Sequence, residues 1–166
     1  SISVYGPGDD LITEAAPLRP VSDYGRSKMM AEQIHRRWLA ADPGRALVTV
    51  RPGVVFGPGE GGNYTHLAGA LRRGLFAYPG RKTTIKSGGY VDELIATLDF
   101  ALGRATAGKE RDVLYNFAYP ALSTTEEIVA TFGRVAGFST RYMTLPVWPL
   151  LLAAWPFEVL NALGLN

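Results

Sequence analysis

The stretch Ser22-Asp23-Tyr24-Gly25-Arg26-Ser27-Lys28 sets a phenol and an ammonium four residues apart. On a helix, that spacing puts both side chains on one face, close enough to interact. An ordinary tyrosine, with a pKa of ~10, is a poor base at neutral pH, and lowering it by ~3 units takes about 4 kcal/mol of preference for the phenolate. A fixed ammonium supplies part of that preference, and the positive end of a helix adds to it when the tyrosine stands in the first turn. Such a phenol could take a proton from a substrate hydroxyl. The plainer alternative is a packed Tyr24 and a solvated Lys28 paired with Glu32 one turn on.

Local elements must hold this pair in place. Ser22 or Asp23 is a cap-type residue, and Met29, Met30, Ile34, Trp38 and Leu39 follow at helical spacing, which predicts a helix ending before Asp42-Pro43-Gly44. Ile2 to Tyr5 is short, apolar and β-friendly, and predicts a strand that stops at Gly6-Pro7-Gly8. Ala46 to Val50 reads as a strand covered on both faces, running into a loop from Arg51 to Gly59 whose glycines and prolines let backbone approach a ligand. Strand, helix, strand implies a parallel sheet with a crossover. Ligands then sit beyond the carboxyl ends of the strands, beside Ser1 to Gly6 and Pro52 to Gly59.

Further along, helices are expected over Tyr64 to Arg73 and Val91 to Leu102, an extended stretch over Lys82 to Ser87, and a strand over Val113 to Phe117. Ser123-Thr124-Thr125-Glu126 reads as a capping box that opens a helix with Ile128, Val129, Phe132 and Val135 on one face. A last apolar helical region is expected after Pro146.

Composition narrows the classes of function. The 166 residues suit one domain, and 17 basic against 15 acidic side chains leave no nucleic-acid footprint. The absence of cysteine excludes a disulfide, a thiol nucleophile and a thiolate metal site, and no spacing suggests another metal site. The apolar run from Leu145 to Leu165 is interrupted by Pro146, Pro149, Pro156, Glu158 and Asn161, so no membrane span is expected. A cytoplasmic location is the expectation. The opening SISVYGPGDD lacks both a signal peptide and an initiator methionine, which suggests a fragment.

Four stretches, SISVYG, YGRSKMMAE, RPGVVFGPG and YVDEL, occur in this order and at these spacings. Together they resemble the extended short-chain dehydrogenases/reductases, also called the NAD-dependent epimerase/dehydratase family, over nearly the whole chain. The resemblance implies an α/β fold: the later part of a Rossmann-type doubly wound parallel sheet in residues 1–60, then a smaller α/β substrate-binding part in 61–166. The family's phosphate-binding glycine loop has no match, so the chain resembles the later half of an enzyme, expected alone to bind cofactor weakly and to be inactive.

By position, the resemblance implies that Tyr24 is the acid/base of hydride transfer and that Lys28 bonds the nicotinamide ribose and favours the phenolate. Ser1 would orient the substrate oxygen. Ser3 is the second candidate, on the same side if the segment is a strand. Pro52, Gly53, Val54 and Val55 would pass beside the nicotinamide. The cofactor implied is NAD or NADP, and the residue that chooses between them would lie upstream.

Departures from the family pattern bear on the substrate. Val54 stands where nucleotide-sugar members commonly carry asparagine, and Lys86 stands near a place where arginine often meets the diphosphate, a point charge without the bidentate fork. Ile2 and Ser3 replace the acidic pair of the dehydratases. The favoured expectation is an epimerase acting on a sugar, a nucleotide sugar above all, through a keto intermediate. The alternatives are a reductase or hydroxysteroid-type dehydrogenase, and a non-catalytic sensor of nicotinamide state. No nucleic-acid partner is expected; a homodimer is allowed, since an exposed sheet edge could drive self-association.

Other residues have simpler explanations. His35 lies beside Arg36 and Arg37 on what reads as a solvated face, whereas His66 follows the glycine-rich loop and could line a substrate pocket. Arg72 and Arg73 suit a helix end, and Asp92 and Glu93 a helix start. Trp148, Trp155 and Phe157 read as core or lid rather than as sugar-stacking groups.

Overall fold

The computed structural model describes residues 1–8 and 11–149. In chain order they form a 3₁₀ turn (Ile2–Val4), α1 (Asp23–Ala40), β1 (Leu47–Pro52), β2 (Val54–Phe56), α2 (Asn63–Arg72), β3 (Tyr78–Pro79), β4 (Ile85–Lys86), β5 (Gly88–Tyr90), α3 (Val91–Thr106), β6 (Asp112–Phe117), β7 (Ser123–Thr124), α4 (Thr125–Ala136) and β8 (Thr144–Leu145). They divide into two compact units. One joins Ser1–Glu60 to Ser87–Ala121, and the other joins Gly61–Lys86 to the described residues from Leu122.

The first unit is built on parallel pairing. β1 pairs with β6 from Leu47↔Asp112 to Pro52↔Phe117, and β2 pairs with β5 from Val54↔Gly88 to Phe56↔Tyr90. Parallel partners cannot be joined by a tight turn, so the chain must travel away and return. Residues 87–121 therefore rejoin the first unit, which a linear division at residue 60 does not anticipate. At Gly53 the strand changes partner: its N–H donates to Phe117 O (2.9 Å), and the next N–H, of Val54, donates to Ser87 O (2.9 Å). A Cβ on Gly53 would lie 2.6 Å from Ser87 O, so the crossover requires glycine. The expected Arg51 to Gly59 loop is thus largely strand.

α1 begins where the sequence predicts. Ser22 caps it, its Oγ accepting from Gly25 N at 3.1 Å, and Asp23 sits in the first turn. Its inward face differs from expectation. Gly25, Glu32 and Leu39 are buried, whereas Met30, Ile34 and Trp38 are exposed.

The opening segment also departs from the sequence reading. Ile2–Val4 is a 3₁₀ turn, not a strand, because the Ser1 hydroxyl caps it by accepting from Ser3 N (3.3 Å) while Val4 is fully buried. The strand-helix-strand crossover expected around α1 is accordingly replaced by turn, helix and strand.

In the second unit Leu71, Tyr78 and Val129 form the core, with Phe76 packed edge-on against Tyr78 and Tyr142. The capping box of α4 lies one residue later than its sequence reading: Thr124 Oγ1 accepts from Glu127 N (3.2 Å) and Glu127 Oε2 accepts from Thr124 N (2.8 Å). Ser123 is instead paired with Lys86 in the β4–β7 ladder. The Thr124 hydrogen bonds hold the Glu127 carboxyl below its ordinary pKa.

Among the described residues no helix is long and apolar enough to cross a membrane. The helical region expected after Pro146, with Trp155 and Phe157, falls mostly outside the described residues; Trp148 lies within them and is exposed.

Candidate active site

Tyr24 and Lys28 lie in the first two turns of α1. Tyr24 is 57% exposed, and Lys28 Nζ stands over its ring, 5.2 Å from the centroid. The Ser27 hydroxyl donates to Tyr24 O at 2.8 Å, tightening the turn between them. No hydrogen bond to the Tyr24 hydroxyl and no carboxylate within ion-pair distance of Lys28 occurs among the described residues, so both polar ends face outward uncommitted. Glu32, the alternative partner for Lys28, is engaged elsewhere.

The 3₁₀ turn packs on α1. Its two hydroxyls meet, Ser1 Oγ donating to Ser3 Oγ at 3.2 Å. Strand alternation would have set them one step apart along an edge; the turn puts them together. Gly25 makes the close approach of turn and helix possible, because a Cβ there would lie 2.5 Å from Ser3 O and 3.0 Å from Pro20 Cβ. Neither neighbour is the far end of a flexible chain, so Gly25→Ala must push the turn away from the helix. We expect it to lower turnover of the intact protein by ~10- to 100-fold, as a displacement near 1 Å does at a reacting centre. Steady-state kinetics beside a thermal melt would check this; wild-type turnover would show that the position of the turn does not matter.

Behind this face lies a polar network that single-residue reasoning did not find. Arg51, 2% exposed on β1, donates from Nε to Glu32 Oε1 (3.0 Å) and from NH2 to Glu32 Oε2 (2.7 Å). Its NH1 donates to Tyr5 OH (2.6 Å), and Tyr5 OH donates to Asn116 Oδ1 (2.8 Å) on β6. Asn116 N donates in turn to Glu14 Oε1 (2.6 Å), which holds the Glu14 carboxyl below its ordinary pKa. The hydrogen bonds to Glu32, and after them the one to Tyr5, hold the Arg51 guanidinium above its ordinary value against the opposing effect of burial. A buried arginine at the end of an apolar strand was the available signal, since such a charge must be paired. Asn116 has its role here, joining Tyr5 to Glu14.

The other expected site residues are placed as follows. Pro52 ends β1, Gly53 is the partner switch, and Val54 and Val55 are half-buried in β2. His66, on α2, and Lys86, on β4, are exposed and belong to the second unit, so they are not among the residues the first unit gathers. His35 is exposed on α1; Arg72 stands in the last turn of α2; Asp92 and Glu93 stand in the first turn of α3. A cleft of about 310 Å³ beside the network is lined by Glu14, Leu18, Met29, Gln33 and Arg36 among others, and includes none of Ser1, Ser3, Tyr24 and Lys28. No cluster able to hold a metal ion occurs among the described residues.

This α/β architecture is that of solved epimerases. The UDP-glucuronic acid 4-epimerase of Bacillus cereus, solved with NAD, superposes with a TM-score of 0.74 at 20% identity, over 87% of this chain and 47% of that one. The UDP-glucose 4-epimerase of Brucella ovis, also solved with NAD, gives 0.70 at 21% identity, over 87% and 50%. At these identities the likeness establishes a Rossmann-type fold. The profile of the NAD dependent epimerase/dehydratase family matches residues 1–117, and the chain belongs to that family. It is 31% identical, over 97% of its length, to the N-acetyl-alpha-D-glucosaminyl-diphospho-ditrans,octacis-undecaprenol 4-epimerase of Escherichia coli O157:H7, of which it covers 48%. The chain thus spans about half the length of these relatives.

Proposed function

We propose that the intact protein is an NAD-dependent epimerase that inverts a hydroxyl-bearing carbon of a diphosphate-linked sugar. The observation that carries this reading is the uncommitted Tyr24–Lys28 pair at the start of α1, set against the two hydroxyls of the 3₁₀ turn, in a chain of this family. The donor set suits a nicotinamide nucleotide: Lys28 offers up to three N–H donors to a ribose diol, and the exposed Tyr24 phenol stands ready beside it. Pro52 to Val55, at the carboxyl end of β1, are the backbone candidates to border the ring.

When bound, the nicotinamide supplies a hydride acceptor that can return what it takes. The chain's own residues govern the proton. Tyr24, as phenolate supported by Lys28 and the helix start, takes the proton from the sugar hydroxyl. Ser1 turns its single hydroxyl proton from Ser3 Oγ to the same oxygen and holds it still, while the Ser3 N–H donated to Ser1 Oγ keeps that hydroxyl in place. With that hydride exchange the sugar would pass through a planar keto carbon, and Tyr24 would give the proton back to its oxygen as the centre inverts. Atoms balance without net consumption of cofactor. In the second unit, His66 and Lys86 are the candidates for contacts to the sugar and its diphosphate.

The experiment is to supply the intact protein with catalytic NAD and a panel of sugars linked to nucleoside diphosphate or to polyprenyl diphosphate. Reduced-nicotinamide absorbance is followed beside product stereochemistry. Inversion with no net change in cofactor is the expected result, and the half of the panel that reacts names the carrier. Stoichiometric reduction of NAD would instead establish a dehydrogenase, the reading favoured by Val54, and silence across both halves would sink the proposal.

A further inference from the structure

We propose that the buried Arg51–Glu32–Tyr5 network is a positioning device that sets the rotation of α1 against the 3₁₀ turn, and so aims the Tyr24 phenol at the oxygen held by Ser1. This rests on the acid/base role given to Tyr24 and the orienting role given to Ser1 above.

The geometry argues for aim. Glu32 stands on α1 one turn beyond Lys28 and two beyond Tyr24, so a rotation that moves its carboxylate also moves the phenol. Rotating a helix by ~10° swings a side-chain tip at ~5–6 Å from the axis by about 1 Å, a displacement that can cost ~100-fold in rate. Arg51 grips both Glu32 oxygens with a planar fork, which fixes direction as well as distance. With its remaining amino group Arg51 holds Tyr5, the residue that closes the turn bearing Ser1 and Ser3. One guanidinium on a strand therefore ties together the two elements that carry the reacting phenol and the orienting hydroxyl.

The alternative purpose, stability, is a weak explanation, because a buried ion pair can usually be replaced by apolar groups of similar volume without loss. What such a replacement gives up is directional constraint. Every buried side-chain polar atom among the described residues is satisfied, so the network is a complete one, of the kind that rigidifies its surroundings. The close approach of Gly25 to Ser3 O and Pro20 sets the turn and α1 side by side.

The test replaces the pair with apolar side chains of similar length, Glu32→Met with Arg51→Met, in the intact protein. The expected result is an unfolding temperature equal to or above wild type, KM within ~threefold, and kcat down tenfold or more. Loss of folded protein would lower the unfolding temperature together with the activity, so a fall in kcat per folded molecule at unchanged KM and melting temperature separates aim from stability.

If the double variant does not fold, Tyr5→Phe breaks the tie to the turn and leaves the Arg51–Glu32 pair whole. It is expected to lower kcat ~3- to 10-fold with KM within ~threefold. Wild-type kcat in a folded variant of either kind would overturn the inference. Those results beside an inactive Tyr24→Phe would leave the epimerase reading standing, whereas an active Tyr24→Phe would remove the ground under both.

Discussion

Tyr24→Phe in the intact protein is expected to lower turnover by ~10²- to 10⁴-fold, the range that a positioned acid/base contributes. The substitution removes one oxygen. The ring stays beneath Lys28, and no hydrogen bond within the described residues is lost, because the hydroxyl makes none there. Exposed substitutions of this kind usually change stability by less than ~0.5 kcal/mol, so the melting temperature should hold. Cofactor binding should hold as well, since Lys28 keeps its donors. A folded, NAD-binding, inactive protein would therefore identify the phenol as the group that moves the proton. Turnover within ~tenfold of wild type would mean that another group does so and that Tyr24 merely packs.

Arg51→Ala carries the largest expected effect on stability. Removing one partner of a buried ion pair costs ~3–5 kcal/mol, because the other charge is left buried without compensation. Here the stranded group is Glu32, and Tyr5 loses its donor as well. Against a typical stability of ~5–15 kcal/mol, the loss should bring the intact protein close to unfolding at ordinary temperature. Urea unfolding followed by circular dichroism would measure it. Arg51→Lys should recover only part, since an ammonium cannot reproduce the fork that grips both Glu32 oxygens. A loss under ~1 kcal/mol for Arg51→Ala would show that water reaches the network and screens it.

These two outcomes separate what short-range chemistry dictates from what assembly adds. Ser22 before a helical pattern, Asp23 in the first turn and Asp42-Pro43-Gly44 at the end define α1 within a residue or two, because caps and breakers act over one turn. The adjacency of Tyr24 and Lys28 is equally local, a consequence of helical pitch. Ile2 to Tyr5 was less legible. Its apolar, β-branched character suits a strand, yet Ser1 offers a cap and burial of Val4 favours the tighter turn. The capping box of α4 was found one residue early, since the residue types around Thr124 permit either register and only the pairing of Ser123 with Lys86 chooses.

The amino-acid sequence by itself determined the helix start, the facing phenol and ammonium, the glycines that permit close approach, and membership of the family. Tertiary structure alone decided which face of α1 is buried. Met30, Ile34 and Trp38 make the more apolar stripe, yet Glu32 goes inward because Arg51 waits there on a strand 19 residues away. It also decided that Gly53 exchanges Phe117 for Ser87, and that residues 87–121 return to the first unit. Each of these depends on a partner distant in the chain, and local propensity carries no information about which distant group will satisfy a buried charge or an open strand edge.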